Sequence, residues 1–207
     1  MSLRSRVSIK LLLGVFLMAC SAPFAWSHIS PPPKKGEIGR QEVHAPLADF
    51  TLVDQEEKRF RFSSTRGKFV LVTFVFTTCP DICPLFTAKF SVIQRKLQEK
   101  NLGDYWLLTV TTDPERDSPA VLKAYAKQYR ADLSYWSFLT GSKGELAKVW
   151  KAFGVNVKKH GSGQIQHTGL TALIDRHGIR RVNYWGDKWL ETDVLKDISS
   201  LEPRRRQ

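Results

Sequence analysis

Two cysteines, Cys79 and Cys83, stand four positions apart in the run Thr77-Thr78-Cys79-Pro80-Asp81-Ile82-Cys83-Pro84. On a first helical turn that step puts both sulfurs on one face, close enough to close a disulfide or to share one soft metal ion. A thiol exposed at a helix N-terminus has its anion stabilised by unpaired N–H groups and by the helix dipole, so the pair should be reactive. Tight two-residue spacing suits rapid disulfide cycling. Here three residues intervene, one of them the acidic Asp81, and they leave room for a third ligand. Of the five histidines, His28 and His44 lie in the N-terminal region, His160 in the loop from Lys158 to Gln166, and His177 in a turn. His167 directly precedes an apolar segment, Leu170 to Ile174. If that segment is a strand beside the one feeding the cysteines, His167 faces the thiol pair. Two thiolates and one imidazole suit cuprous copper. On position alone, a loop or capping residue is the commoner reading of His167.

The elements that would hold this constellation can be read from periodicity. Phe69 to Phe76 is apolar on both faces, as a central strand must be, and it ends at the cysteines. Pro84 can open a helix, with Leu85, Phe86, Phe90, Ile93 and Leu97 at three- and four-residue steps. Trp106 to Val110 gives a second central strand. Ser118-Pro119 starts a helix that carries Val121, Leu122, Tyr125 and Tyr129 inward. A short strand over Tyr135 to Leu139 and a helix over Glu145 to Phe153, stopped by Gly154, follow. Leu170 to Ile174 and Ile179 to Tyr184 form a closing hairpin around Asp175-Arg176-His177-Gly178, and Leu190 to Leu201 a last amphipathic helix. Upstream, Asp49 to Val53 and Arg59 to Phe62 form an N-terminal hairpin. This order predicts an α/β fold: a thioredoxin-like sandwich with a central mixed sheet flanked by helices, the N-terminal hairpin, and an inserted helix and strand. Right-handed crossovers put the Cys79 turn at the carboxyl end of a central strand, where such sheets place their sites. The six tryptophans, Trp106, Trp136 and Trp150 among them, are read as packing residues.

Compartment follows from the N-terminus. Arg4, Arg6 and Lys10 precede an uncharged apolar run from Leu11 to Ala25, the pattern of a secretory signal. At roughly 15 residues the run is short for a membrane span, which takes about 20. Ala25-Trp26-Ser27 offers a cleavage site, while Leu17-Met18-Ala19-Cys20 resembles a lipoprotein box with Cys20 acylated; an uncleaved anchor is the third outcome. The domain plan is a signal or anchor over 1–27, an extended tether over 28–44 marked by Pro31-Pro32-Pro33, a folded domain over 45–203, and a basic tail over 204–207. With Cys20 set aside, two cysteines work in an oxidising, exported setting. The net charge is +12, and removing Arg4, Arg6 and Lys10 with the leader leaves +9. The cations are scattered and the chain is exported, so a nucleic-acid partner is not expected; proximity to anionic phospholipid or to an acidic protein is.

Three motifs in order carry a resemblance: Phe74 to Pro84 around the cysteines, Thr111-Thr112-Asp113-Pro114-Glu115-Arg116-Asp117-Ser118-Pro119, and His167-Thr168 ahead of Leu173-Ile174-Asp175 and Gly178. Together they resemble the Sco/SenC family of copper-binding cytochrome oxidase assembly proteins, over roughly Ala45 to Leu201. The resemblance implies a thioredoxin-like fold, a membrane-tethered position facing the bacterial periplasm, and one copper ion (Cu+, and also Cu2+) held by Cys79, Cys83 and His167. It implies delivery of that ion to the copper-bearing subunit of cytochrome c oxidase, with another periplasmic copper carrier as a further partner. Family members commonly place Asp before that histidine and Ser after it; this chain has Gln166 and Thr168.

Asp81 reads either as a turn or helix-capping residue or as an acid that repels thiolate charge or ligates cupric copper; Asp113 to Asp117, at the end of a central strand on the same edge as the thiols, either shapes the site or docks a partner, or is a hydrogen-bonded loop with Asp117 or Ser118 capping the next helix. The alternative function is a thiol–disulfide reductase acting on the cysteines of the oxidase copper site, with Cys79 and Cys83 as its redox pair. A peroxiredoxin-like peroxidase is the third reading. His167 separates the first two, since metal binding requires it and disulfide exchange does not.

Overall fold

The structure, a computed structural model, describes residues 39–100, 104–161 and 164–201. The segments read from the sequence as a leader with its cleavage or lipidation site, as the first part of a tether and as a basic tail lie outside the described residues. Among the described residues, ten strands and four α-helices follow in order: β1 (Gly39–Pro46), β2 (Thr51–Val53), β3 (Arg59–Arg61), β4 (Phe69–Val75), α1 (Ile82–Glu99), β5 (Tyr105–Thr111), α2 (Pro119–Gln128), β6 (Trp136–Leu139), α3 (Lys143–Phe153), β7 (Val157–Lys159), β8 (Ile165–His167), β9 (Leu170–Ile174), β10 (Ile179–Trp185) and α4 (Glu191–Leu201).

Six strands form one mixed sheet in the order β1-β10-β9-β4-β5-β6. β4 runs parallel to β5, and β5 to β6, whereas β9 pairs antiparallel with β4 and β10 with β9. Every residue of β4 is buried, and its alternation feeds two cores. Phe69, Leu71 and Val75 pack with α1, α2 and α4 on one face. Val70, Val72 and Phe74 pack with α3 and the β2–β3 hairpin on the other. Each such side chain taken from water contributes about 1.5–3 kcal/mol, which is why a strand this apolar must be central. The expected sandwich is therefore the observed one, and among the described residues the reading of the tryptophans as packing residues holds, with Trp136, Trp150, Trp185 and Trp189 buried; Trp26 lies outside the described residues. Among the described residues no helix is long and apolar enough to cross a membrane.

Helix ends follow local chemistry. Ser118 caps α2, its hydroxyl accepting from the Val121 N–H, with Pro119 at the first helical position. Ser142 and Glu145 form a capping box on α3, and Gly154 closes that helix at φ 76°, a backbone that glycine adopts without strain.

Three expectations need correction. The tether does not run to residue 44: Gly39–Pro46 is an edge strand paired with β10 from Gly39↔Trp185 to Pro46↔Ile179, so the ordered sheet starts before Ala45. Arg40 fastens it by a two-pronged bond to Asp197 on α4, 2.9 and 2.7 Å, and the Tyr184 hydroxyl donates to the same carboxylate at 2.5 Å. Val121 does not point inward but is 39% exposed, because it lies in the first turn of α2, on the side away from the sheet. The segment from Lys158 to Gln166 is not a plain loop: β7 and β8 pair as a small antiparallel hairpin, with Val157 opposite His167.

Candidate metal centre

β4 delivers the cysteines. After Val75 the chain turns, the Cys79 N–H donating to the Phe76 carbonyl at 3.2 Å, and α1 starts at Ile82. Cys79 hangs half-buried from that turn, whereas Cys83, inside the first turn of α1, is fully buried; both are free thiols. β9 neighbours β4 as expected, and β8 just before it carries His167 to the same sheet edge. Cys83 Sγ and His167 Nε2 are 3.5 Å apart.

The histidine is held in one tautomer. Its Nδ1 lies 3.0 Å from the Thr168 carbonyl, which can only accept, so Nδ1 carries the proton and Nε2 presents a lone pair to Cys83. Phe76 meets the ring edge-on at 5.8 Å between centroids. Burial holds the imidazole pKa below its ordinary value and keeps the ring neutral. The hairpin base is fixed by Thr168, whose N–H donates to the Asn156 carbonyl at 3.0 Å and whose hydroxyl accepts from the Asn156 N–H at 3.1 Å.

The two thiols are driven apart in acidity. A hydrogen bond from the Cys83 thiol pushes Cys79 down to about 6; burial opposes this, and the N–H groups of Asp81 and Cys83 assist. Donating that bond and being buried push Cys83 up. Near neutral pH the centre thus holds a Cys79 thiolate, a Cys83 thiol and a neutral His167. One proton, on Cys83, faces two electron pairs. A soft cation in its place would satisfy all three donors at once.

Geometry agrees for two of them. Taking zinc-site lengths of about 2.3 Å to sulfur and about 2.0 Å to imidazole, two donors on one ion at 110–120° stand about 3.5–3.7 Å apart. Among the described residues no three His, Cys, Asp or Glu side chains are already closed around one point. Cys79, on the turn rather than in the helix, is the third candidate donor.

The site opens into a cavity of about 520 Å³ whose lining includes Cys79, Asp81, Arg116, His160, Gln166 and His167. Asp81 stands at the cap position of α1 without bonding a helix N–H, so the capping reading fails; its charge raises the Cys79 pKa slightly while its N–H lowers it. Asp113 is buried and faces Arg116 Nη1 at 3.5 Å. His28 is outside the described residues; His44 lies near Arg181 at 3.3 Å, and His177 sits in the β9–β10 turn, both away from the cysteines. The sequence does not single out Thr77, Thr111 or His160 as neighbours of the site, and it leaves Asp117 either in a loop that shapes the site or as a cap on the next helix. Threonines at the carboxyl ends of two adjacent strands, followed by an acid in the next loop, were the available signal.

A mixed sheet with a cysteine turn at a strand's carboxyl end and a neutral histidine facing it across the next strand defines a thioredoxin-like protein built for thiol or soft-metal chemistry. The SCO1/SenC family model matches residues 39–201, and the chain belongs to that family. It is 33% identical over 170 residues to the SCO1 protein homolog of Bacillus subtilis, covering 78% of this chain and 88% of that protein. It is similar to BsSco, a member of the Sco family of cytochrome c oxidase assembly proteins with a disulfide switch (30% identity, TM-score 0.69, covering 80% and 98%). It is also similar to Bradyrhizobium japonicum ScoI with copper bound (31% identity, TM-score 0.65, covering 76% and 100%).

Proposed function

We propose that this protein is a copper chaperone of the bacterial periplasm that binds one cuprous ion through Cys79, Cys83 and His167 and passes it to the copper-bearing subunit of cytochrome c oxidase. The approach of Cys83 Sγ to His167 Nε2 at 3.5 Å, with Nδ1 committed to Thr168, carries this reading. Copper here is cargo, so the site must release as well as bind. Ligand exchange needs an accessible edge, and Cys79 on the cavity wall provides it. Thiol–disulfide exchange with an external disulfide, which takes the two electrons and leaves as its dithiol, would close Cys79–Cys83, remove two of three donors and release the ion. The apolar leader supports export, and a lipidated Cys20 or an uncleaved anchor would keep the domain near the membrane.

The second reading, a thiol–disulfide reductase, has its own support: a half-exposed thiolate with a pKa of about 6 beside a buried partner thiol is the arrangement of an attacking and a resolving cysteine. Cys79 would attack a substrate disulfide, and Cys83 would then displace the reduced substrate, leaving Cys79–Cys83 oxidised. The test pairs two assays on the reduced protein and on His167→Ala. Copper uptake by the parent that is weakened in the variant supports the chaperone. Undiminished reductase activity in the variant, with no copper uptake by the parent, supports the reductase.

A further inference from the structure

Asp117 lies in the loop between β5 and α2, behind the cysteine turn, and is fully buried. One carboxylate oxygen accepts from the Thr77 hydroxyl at 2.5 Å and the other from the Thr111 hydroxyl at 2.5 Å; the Thr77 N–H points at both, 3.3 and 3.2 Å. Thr111 stands opposite Val75 in the parallel register, so a single carboxylate bridges the carboxyl ends of β4 and β5. The Thr111 hydroxyl also accepts from the Asp113 N–H at 2.9 Å, which leaves its proton directed at Asp117.

The three donors of the site are not held alike. Cys83 is fixed by the packing of α1, and His167 by Thr168 and the β7–β8 hairpin. Cys79 depends on the turn between Phe76 and Ile82, and the first side chain of that turn is Thr77. Burying a carboxylate is costly unless its oxygens are fully served by donors. The service here requires the turn to keep one shape.

We propose that Asp117 is a positioning residue: by clamping Thr77 it sets the direction from which Cys79 presents its sulfur to Cys83 and His167. This rests on the metal-binding reading and deepens it. A residue acting through Cys79 must lose its effect on copper when Cys79 is gone. A residue that merely stabilises the fold must not.

The test is an anaerobic cuprous competition titration on the reduced parent, Asp117→Asn, Cys79→Ser and the double variant, with a weaker competitor for the Cys79→Ser pair, and the melting midpoint of each. Asp117→Asn should weaken uptake about tenfold when Cys79 is present and less than about twofold when it is serine, while lowering the midpoint equally in both backgrounds. An equal loss of affinity in both backgrounds, or no loss in the first, overturns the proposal. Should Asp117→Asn fail to fold, Thr77→Val removes one donor alone and should act in the same direction. If the parent takes up no copper, the metal reading fails and positioning is judged on metal-free protein. There Asp117→Asn should slow alkylation of Cys79 at fixed pH by about threefold or more, and an unchanged rate sinks the proposal.

Discussion

Cys83 Sγ lies 3.5 Å from Nε2 of His167, across 84 residues of chain, and the far nitrogen of that ring is tied to the Thr168 carbonyl. The imidazole therefore meets the thiol with an electron pair rather than a proton. Three expected consequences concern the chemistry of this contact and its neighbour Cys79; two others concern the frame around them.

Cys79 should react as a thiolate well below the range of an ordinary cysteine. Alkylation of the metal-free, reduced protein should rise with a midpoint near pH 6. Because the largest cause is the bond from Cys83, Cys83→Ala should move the midpoint up towards the ordinary cysteine value, near 9. A midpoint unchanged by that substitution would contradict the coupling.

Copper uptake should release protons in a pattern set by the two thiols. Above about pH 6 Cys79 is already ionised and His167 neutral, so only the Cys83 proton must leave: about one per ion. Below about 6 the count should climb towards two as Cys79 regains its proton. Affinity accordingly increases with pH throughout, and more steeply in the acid range. Calorimetry in buffers of different ionisation enthalpy reads the proton count directly; two protons released at pH 7.5 would refute the assignment of Cys79 as the thiolate.

Removal of β1 should be far more damaging than a tether would allow. A chain beginning at Ala45 lacks Arg40 and most of the β1–β10 pairing, leaving the Asp197 carboxylate without its cation and β10 as an open edge. Loss of the pair alone should cost about 2–4 kcal/mol in urea unfolding, and Asp197→Ala should fall in the same range because it also strands the Tyr184 hydroxyl. Unchanged stability would show that β1 only decorates the sheet.

Gly169 sits behind the site, where a side-chain carbon would come 3.1 Å from Ile82 Cδ1 and 3.4 Å from Phe86 Cζ. Both neighbours belong to the start of α1, on either side of Cys83. Gly169→Ala should be tolerated at below about 1 kcal/mol, whereas Gly169→Val should cost about 1–3 kcal/mol and weaken copper uptake by displacing the first turn of α1. Thermal melting and a copper titration of both variants check this.

The parts legible in the sequence are those written locally. β4 is plain because all its residues but Thr73 are apolar, α2 because Ser118 and Pro119 mark its start, and α3 because Gly154 ends it. The placement of His167 beside the thiols followed from pairing β9 with β4, a topological step rather than a local one, and the 3.5 Å approach to Cys83 fits it. β1 was not legible. Arg40 to His44 carries Val43 as its single apolar residue among charged and polar ones, next to a proline-rich stretch, and its partner β10 lies some 140 residues away in the sequence. The β7–β8 hairpin was hidden for a similar reason, since strands of three residues rich in Lys and Gln show no period. For Asp117 the sequence leaves a helix cap and a site-shaping loop residue both open; Ser118 does the capping, and only the fold brings Thr77 and Thr111 to the two oxygens of Asp117.

The claim of a Cys79–Cys83–His167 copper centre is tested most directly by anaerobic titration of the reduced chain with cuprous ion against a competing chelator, with stoichiometry by elemental analysis. The expected result is one tightly held ion per chain, with tight uptake abolished in Cys79→Ser and in Cys83→Ser, leaving only weak binding, and with the ion held more weakly in His167→Ala. No uptake by the parent, or undiminished uptake by either serine variant, would contradict it.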